Sequence, residues 1–117
     1  MLAAGADEVA AVLRALPRDV QRRAAAVPIV FEKRPSRAFI ADGIEADTLG
    51  LFLGPSALDD PGASPLPAQI ILFLENIWDE ADGAERLFRK EIRKTLLHEL
   101  GHFLGWEEVE LEERDLG

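Results

Sequence analysis

The chain has 117 residues, 48% of them apolar, with 22 acidic against 13 basic side chains, a net charge of −9 and no cysteine. That length implies one domain, 1–117, with room for one real core but not for a two-lobed cleft. The charge argues against nucleic acid and against anionic membrane surfaces as partners, and the missing cysteines exclude disulfides and leave any metal site to His and carboxylate. No apolar run approaches membrane-spanning length, and Met1 to Glu8 lacks the basic start of a signal peptide. A soluble, cytoplasmic protein is expected.

From Asp7 to Ala26 the residues Val9, Val12, Leu13, Leu16 and Val20 recur at helical steps. Pro17 interrupts them, which predicts one kinked helix or two short ones. Pro28 to Glu32 is β-branched and aromatic and predicts a short strand. Lys33-Arg34-Pro35-Ser36-Arg37 is the cationic cluster outside the helices. Such clusters are commonly solvated turns, and the sharper reading is a contact for a substrate carboxylate.

Phe39 to Thr48 reads as a mixed connection. Leu49 to Pro55 predicts a second strand, whose glycines, Gly50 and Gly54, suit an edge or a close backbone approach. Ser56 to Pro67 is rich in Pro, Gly, Ser and Asp and reads as an exposed loop. Gln69 to Leu74 is apolar on both faces and predicts a central third strand, from which Glu75-Asn76-Ile77-Trp78 leads away. Asp82-Gly83-Ala84-Glu85 has the pattern of a capping box. The helix it predicts runs to Leu104 on a stripe of Phe88, Ile92, Leu96, Leu100, Phe103 and Leu104. Gly105 follows as a natural left-handed stop.

The last turns of that helix carry the chemistry. His98 to Glu108 reads H-E-x-x-H-x-x-G-x-x-E, and its two histidines are the only ones in the chain. Positions four apart share a helix face, so His98 and His102 can point at one metal ion. Glu99 stands one step round from His98, near enough to act on a water held there. Zinc hydrolases need this set: neutral nitrogen ligands, an adjacent base and an open position for water. The plain alternative is a pair of solvated histidines on an acidic helix.

A third ligand has to be an acid. Gly105 allows a sharp turn, after which Glu108 could return to the metal. Its offset from His98 matches the third-ligand position of the longer H-E-x-x-H-x-x-G-x-x-H proteases. Glu107 is the next candidate, followed by Glu110, Glu112 and Glu113. This acidic run also fits a charged face that only keeps the protein soluble.

These residues resemble the small bacterial zincin-like metallopeptidases, or minimal zincins. The likeness rests on Thr95 to Gly105 followed by an acid, with support from Leu49 to Gly54 and Pro67 to Phe73. It spans about Pro28 to Glu108. The resemblance implies an α+β, zincin-like fold: an N-terminal helix and a small mixed sheet of about three strands packed on a long C-terminal active-site helix. It also implies Zn2+ at His98, His102 and an acid after Gly105, with Glu99 as general base. The chain departs from the longer proteases in lacking a methionine turn, since Met1 is its only methionine, and it has no Tyr. Arg34, Arg37 or Arg114 would have to stabilise the oxyanion, or no side chain does. The expected activity is zinc-dependent hydrolysis of peptide or protein substrates. Leu49 to Gly54 would be the edge that receives an extended peptide. The rival is a metal-containing peptide-binding module with weak or no turnover, and a purely structural metal is the third reading. The sequence is silent on oligomeric state.

Overall fold

The computed structural model describes residues 1–55 and 67–105. Its elements run α1 (Leu2–Ala15), α2 (Arg18–Ala24), β1 (Ile29–Glu32), α3 (Arg37–Ala41), β2 (Gly50–Leu53), β3 (Gln69–Phe73), α4 (Leu74–Glu80) and α5 (Glu85–Leu104). The fold is α+β, with an N-terminal helix, a three-stranded mixed sheet and a long C-terminal helix. Apart from Pro67, the expected loop from Ser56 to Pro67 lies outside the described residues.

Pro17 makes two helices rather than one kinked helix. Leu16 takes an extended ψ of 150°, the conformation a residue before proline prefers. The Gln21 side-chain amide then donates to the carbonyls of Leu13 and Arg14, both at 2.9 Å. Carbonyls at the end of α1 thus find partners on α2.

The sheet order is β1-β3-β2, with β3 central as its unbroken apolar run implies. β1 runs parallel to β3, with Ile29 beside Ile70, and β2 antiparallel, with Gly50 beside Leu72. Side chains alternate across the sheet. Ile70 and Leu72 join the main core, together with Val9 and Val12 of α1 and Phe88, Ile92 and Leu96 of α5. Phe73 points the other way, where Phe39 of α3 meets it edge-on at 6.4 Å. At the end of β2, Gly54 has a φ of 90°, and a Cβ there would stand 2.6 Å from the Pro67 carbonyl oxygen. Both the backbone conformation and the close approach require glycine.

Two short helices replace stretches expected to be irregular. α3 is capped by Ser36, whose Oγ accepts from the Phe39 N–H at 3.3 Å. α4 starts directly at the end of β3 with no turn residue and no side-chain cap, so nothing in the sequence announces it.

The capping-box expectation is corrected by α4. Asp82 has a left-handed φ of 54°, and Ala84 rather than Asp82 is the N-cap of α5, with no side-chain cap bond. The Gly83 N–H bonds to the Trp78 carbonyl and the Asp82 N–H to that of Asp79, each at 3.1 Å. That pair of bonds is a Schellman stop for α4. Asp82 and Gly83 therefore end one helix rather than begin the next.

Asn76, 5% exposed, ties α4 to the strand entrance. Its amide donates to the Ala46 and Thr48 carbonyls at 2.8 and 2.9 Å, and its oxygen accepts from Arg34 at 2.8 Å. The chain entering β2 is held by these bonds. Asn76→Ala would leave two carbonyls and a guanidinium N–H without this partner, and should cost about 1–3 kcal/mol. Asp79→Ala, on the exposed side of the same guanidinium, should cost less. Urea unfolding of the two variants checks the order.

Candidate metal centre

Helix α5 has three distinct longitudinal zones. Phe88, Ile92, Leu96, Leu100 and Leu104, each four apart, are buried in the core. Glu91, Lys94, His98 and His102 lie on the more open side. Thr95 and Glu99, both 8% exposed, fall between and face β2. The order follows from helical periodicity: the apolar stripe anchors the helix, and the remaining positions are carried to fixed angles around its axis.

The two imidazoles lie with ring centroids 4.5 Å apart at an interplanar angle of 67°. The Glu99 carboxylate stands 3.4 Å from His102 Nδ1. One donor atom from each of His98, Glu99 and His102 can be chosen so that all lie within 4.8 Å of one another. Among the described residues this is the group of His, Asp and Glu donors able to hold a metal ion. Glu99 is also the one buried carboxylate among them. Burying an acid is costly unless a partner or a task compensates, and here the neighbouring imidazole supplies a partner. The donor chemistry, two imidazoles with an adjacent carboxylate, fits a divalent cation such as zinc. At the foot of the site Gly105 closes α5 with a φ of 78°, as its place in the sequence implies.

A cavity of about 470 Å³ opens beside these groups. Leu49 and Gly50 form its strand side, and Thr95, His98 and Glu99 its helix side. Glu80, Glu91 and Lys94 complete the lining. These charged positions carry no signal in the sequence beyond that of ordinary solvated helix residues. Among the described residues β2 is an edge strand, in keeping with the glycines of Leu49 to Pro55, and it borders the cavity.

Of the residues singled out in the sequence, His98, Glu99 and His102 come together. Glu108, with Glu107, Glu110, Glu112, Glu113 and Arg114, lies outside the described residues. Arg34 is engaged elsewhere. Its Nε donates to Glu75 at 3.1 Å, Nη1 to Asn76 at 2.8 Å and Nη2 to Asp79 at 2.9 Å. Asp79, and after it Glu75, raises the Arg34 pKa above its ordinary value. Arg34 lines a different cavity, beside Ala46, Asp47 and Asn76, and is not among the residues lining the one with His98. Arg37 begins α3.

A family model described as zincin-like metallopeptidase matches residues 24–117. The match covers most of the chain and includes both histidines, Glu99 and the acids after Gly105. The chain belongs to the zincin-like metallopeptidase family. No curated protein matches it. The family implies a divalent metal, typically zinc, and peptide substrates. No helix among the described residues is long and apolar enough to cross a membrane.

Proposed function

We propose that the protein is a zinc-dependent peptidase in which His98, His102 and Glu108 hold the metal and Glu99 is the general base. The observation that carries this reading is the buried Glu99 carboxylate beside two imidazoles, at the wall of a cavity bordered by an edge strand. The family adds its support.

A bound divalent cation supplies a Lewis acid and lowers the pKa of its water towards neutrality. Glu99 accepts a proton from the attacking water at a carboxylate oxygen, and the water oxygen adds to the peptide carbonyl carbon. As the C–N bond breaks, Glu99 returns the proton to the leaving amine. The products are one carboxylate and one amine, and the carboxylate of Glu99 is regenerated. The peptide lies extended along the outer edge of β2 and hydrogen-bonds to it as an added strand. His98 and His102 bind as neutral imidazoles.

A second reading is favoured by one observation. The guanidinium of Arg34, a candidate for the oxyanion, is spent on Glu75, Asn76 and Asp79. With no Tyr in the chain and both histidines assigned to the metal, turnover without such a donor would be weak. The same scaffold would then serve as a metal-containing module that binds extended peptides. Saturable peptide binding without cleavage across a broad peptide library supports this reading over the enzyme.

Elemental analysis of protein prepared without a metal-binding tag should find about one zinc per chain. His98→Ala, His102→Ala and Glu108→Ala should each lose it, while Glu107→Ala and Glu91→Ala retain it. Retention by Glu108→Ala with loss from Glu107→Ala would move the third ligand by one residue. Glu99→Gln should keep the zinc and lose at least about 100-fold in peptide hydrolysis. Full activity in that variant would sink the mechanism.

A further inference from the structure

We propose that Gly50 is a positioning residue. Its missing side chain lets β2 lie directly against the Thr95–Glu99 side of α5 and so sets the gap between the substrate-bearing edge and the Glu99 carboxylate. The proposal rests on the peptidase reading and assigns part of its geometry to a strand residue.

A Cβ on Gly50 would stand 2.5 Å from Thr95 Cγ2 and 3.4 Å from Glu99 Cγ. Carbon atoms pack at about 3.5–4.0 Å, so the first contact could not form without movement. Gly50 lies within the strand, and its φ is outside the left-handed region. No turn therefore asks for glycine there, and glycine in a strand weakens it. The close approach of the helix is what the position requires.

The neighbouring contacts show where a shift would go. Phe52, two residues along β2 on the same face, meets Phe103 of α5 edge-on at 5.8 Å. The strand thus touches the helix at two places: near Thr95 and Glu99, and near Phe103. Thr95 is buried, so its methyl cannot swing out into solvent. A methyl at position 50 would wedge the first contact while the second still holds, tilting β2 away from α5. His98, Glu99 and His102 all ride on α5, so the donor set would move as one unit. The metal should stay bound while the strand edge moves away from the base. A displacement of about 1 Å in a reacting geometry can cost about 100-fold in rate.

The test compares wild type with Gly50→Ala, Gly50→Ala/Thr95→Ser and Gly50→Ala/Thr95→Val. Serine removes the Cγ2 methyl that a Cβ would strike, whereas valine keeps it. Zinc affinity by chelator competition should stay near wild type in Gly50→Ala. Its kcat should fall about 100-fold with little change in KM. The serine double variant should recover most of that loss, and the valine double variant should not. Melting temperatures of the metal-free proteins should follow the same order, which reads the contact without reference to activity. If Gly50→Ala does not fold, a serine double variant that folds beside a valine one that does not carries the same conclusion. Equal behaviour of those two, or a fully active Gly50→Ala, overturns the role given to Gly50 and leaves the peptidase reading intact. A zinc-loaded wild type that cleaves no peptide overturns the peptidase reading, and this role with it.

Discussion

The apolar stripe of α5 sets the rotation of that helix about its own axis, and the rest of the site depends on that rotation. Phe88, Ile92, Leu96, Leu100 and Leu104 are all at most 2% exposed. Burying side chains of this size contributes about 1.5–3 kcal/mol each, so turning the helix would forfeit several such contributions together. With the stripe held, Thr95 and Glu99 must face β2, and His98 and His102 must face outward. A metal centre needs donors whose directions are settled before the ion arrives. Here the core settles them.

The strand side is held by a different kind of force. β2 enters the sheet from a chain segment tied down by Asn76, whose buried amide satisfies two backbone carbonyls at once. Arg34 joins Asn76 to Glu75 and Asp79 along α4. The exposed ion pairs of this network are weak individually, and the buried amide is the stronger part of it. The cavity therefore has one wall held by apolar packing and one held by hydrogen bonds. Gly50, Thr95 and Glu99 are where the walls meet.

Much of this is legible in the sequence where the pattern is long or the chemistry rare. The long helix, the central strand and the His98–Glu99–His102 group follow from a sustained stripe, a run apolar on both faces and a three-residue signature. The two short helices are not legible. α4 begins without a cap straight from β3, and α3 has five residues, too few for periodicity to show. With α4 silent in the sequence, Asp82 and Gly83, which end that helix, resemble the start of the next. Arg34 shows the same limit. In the folded chain it is held by Glu75, Asn76 and Asp79, and in the sequence it is only part of a basic turn. The two glycines of Leu49 to Pro55 signal an edge or a close backbone approach: Gly54 does meet the Pro67 backbone, whereas Gly50 faces the side chains of Thr95 and Glu99, which nothing in the sequence foretells.

The proposed function requires α5 to present two imidazoles to one metal ion. X-ray absorption at the zinc edge of the zinc-loaded wild-type protein tests this directly. The proposed function predicts about two imidazole nitrogens at roughly 2.0–2.1 Å, completed by oxygen at roughly 2.0–2.2 Å. A shell of oxygen alone, with no imidazole scattering, would contradict it, as would a protein that takes up no zinc.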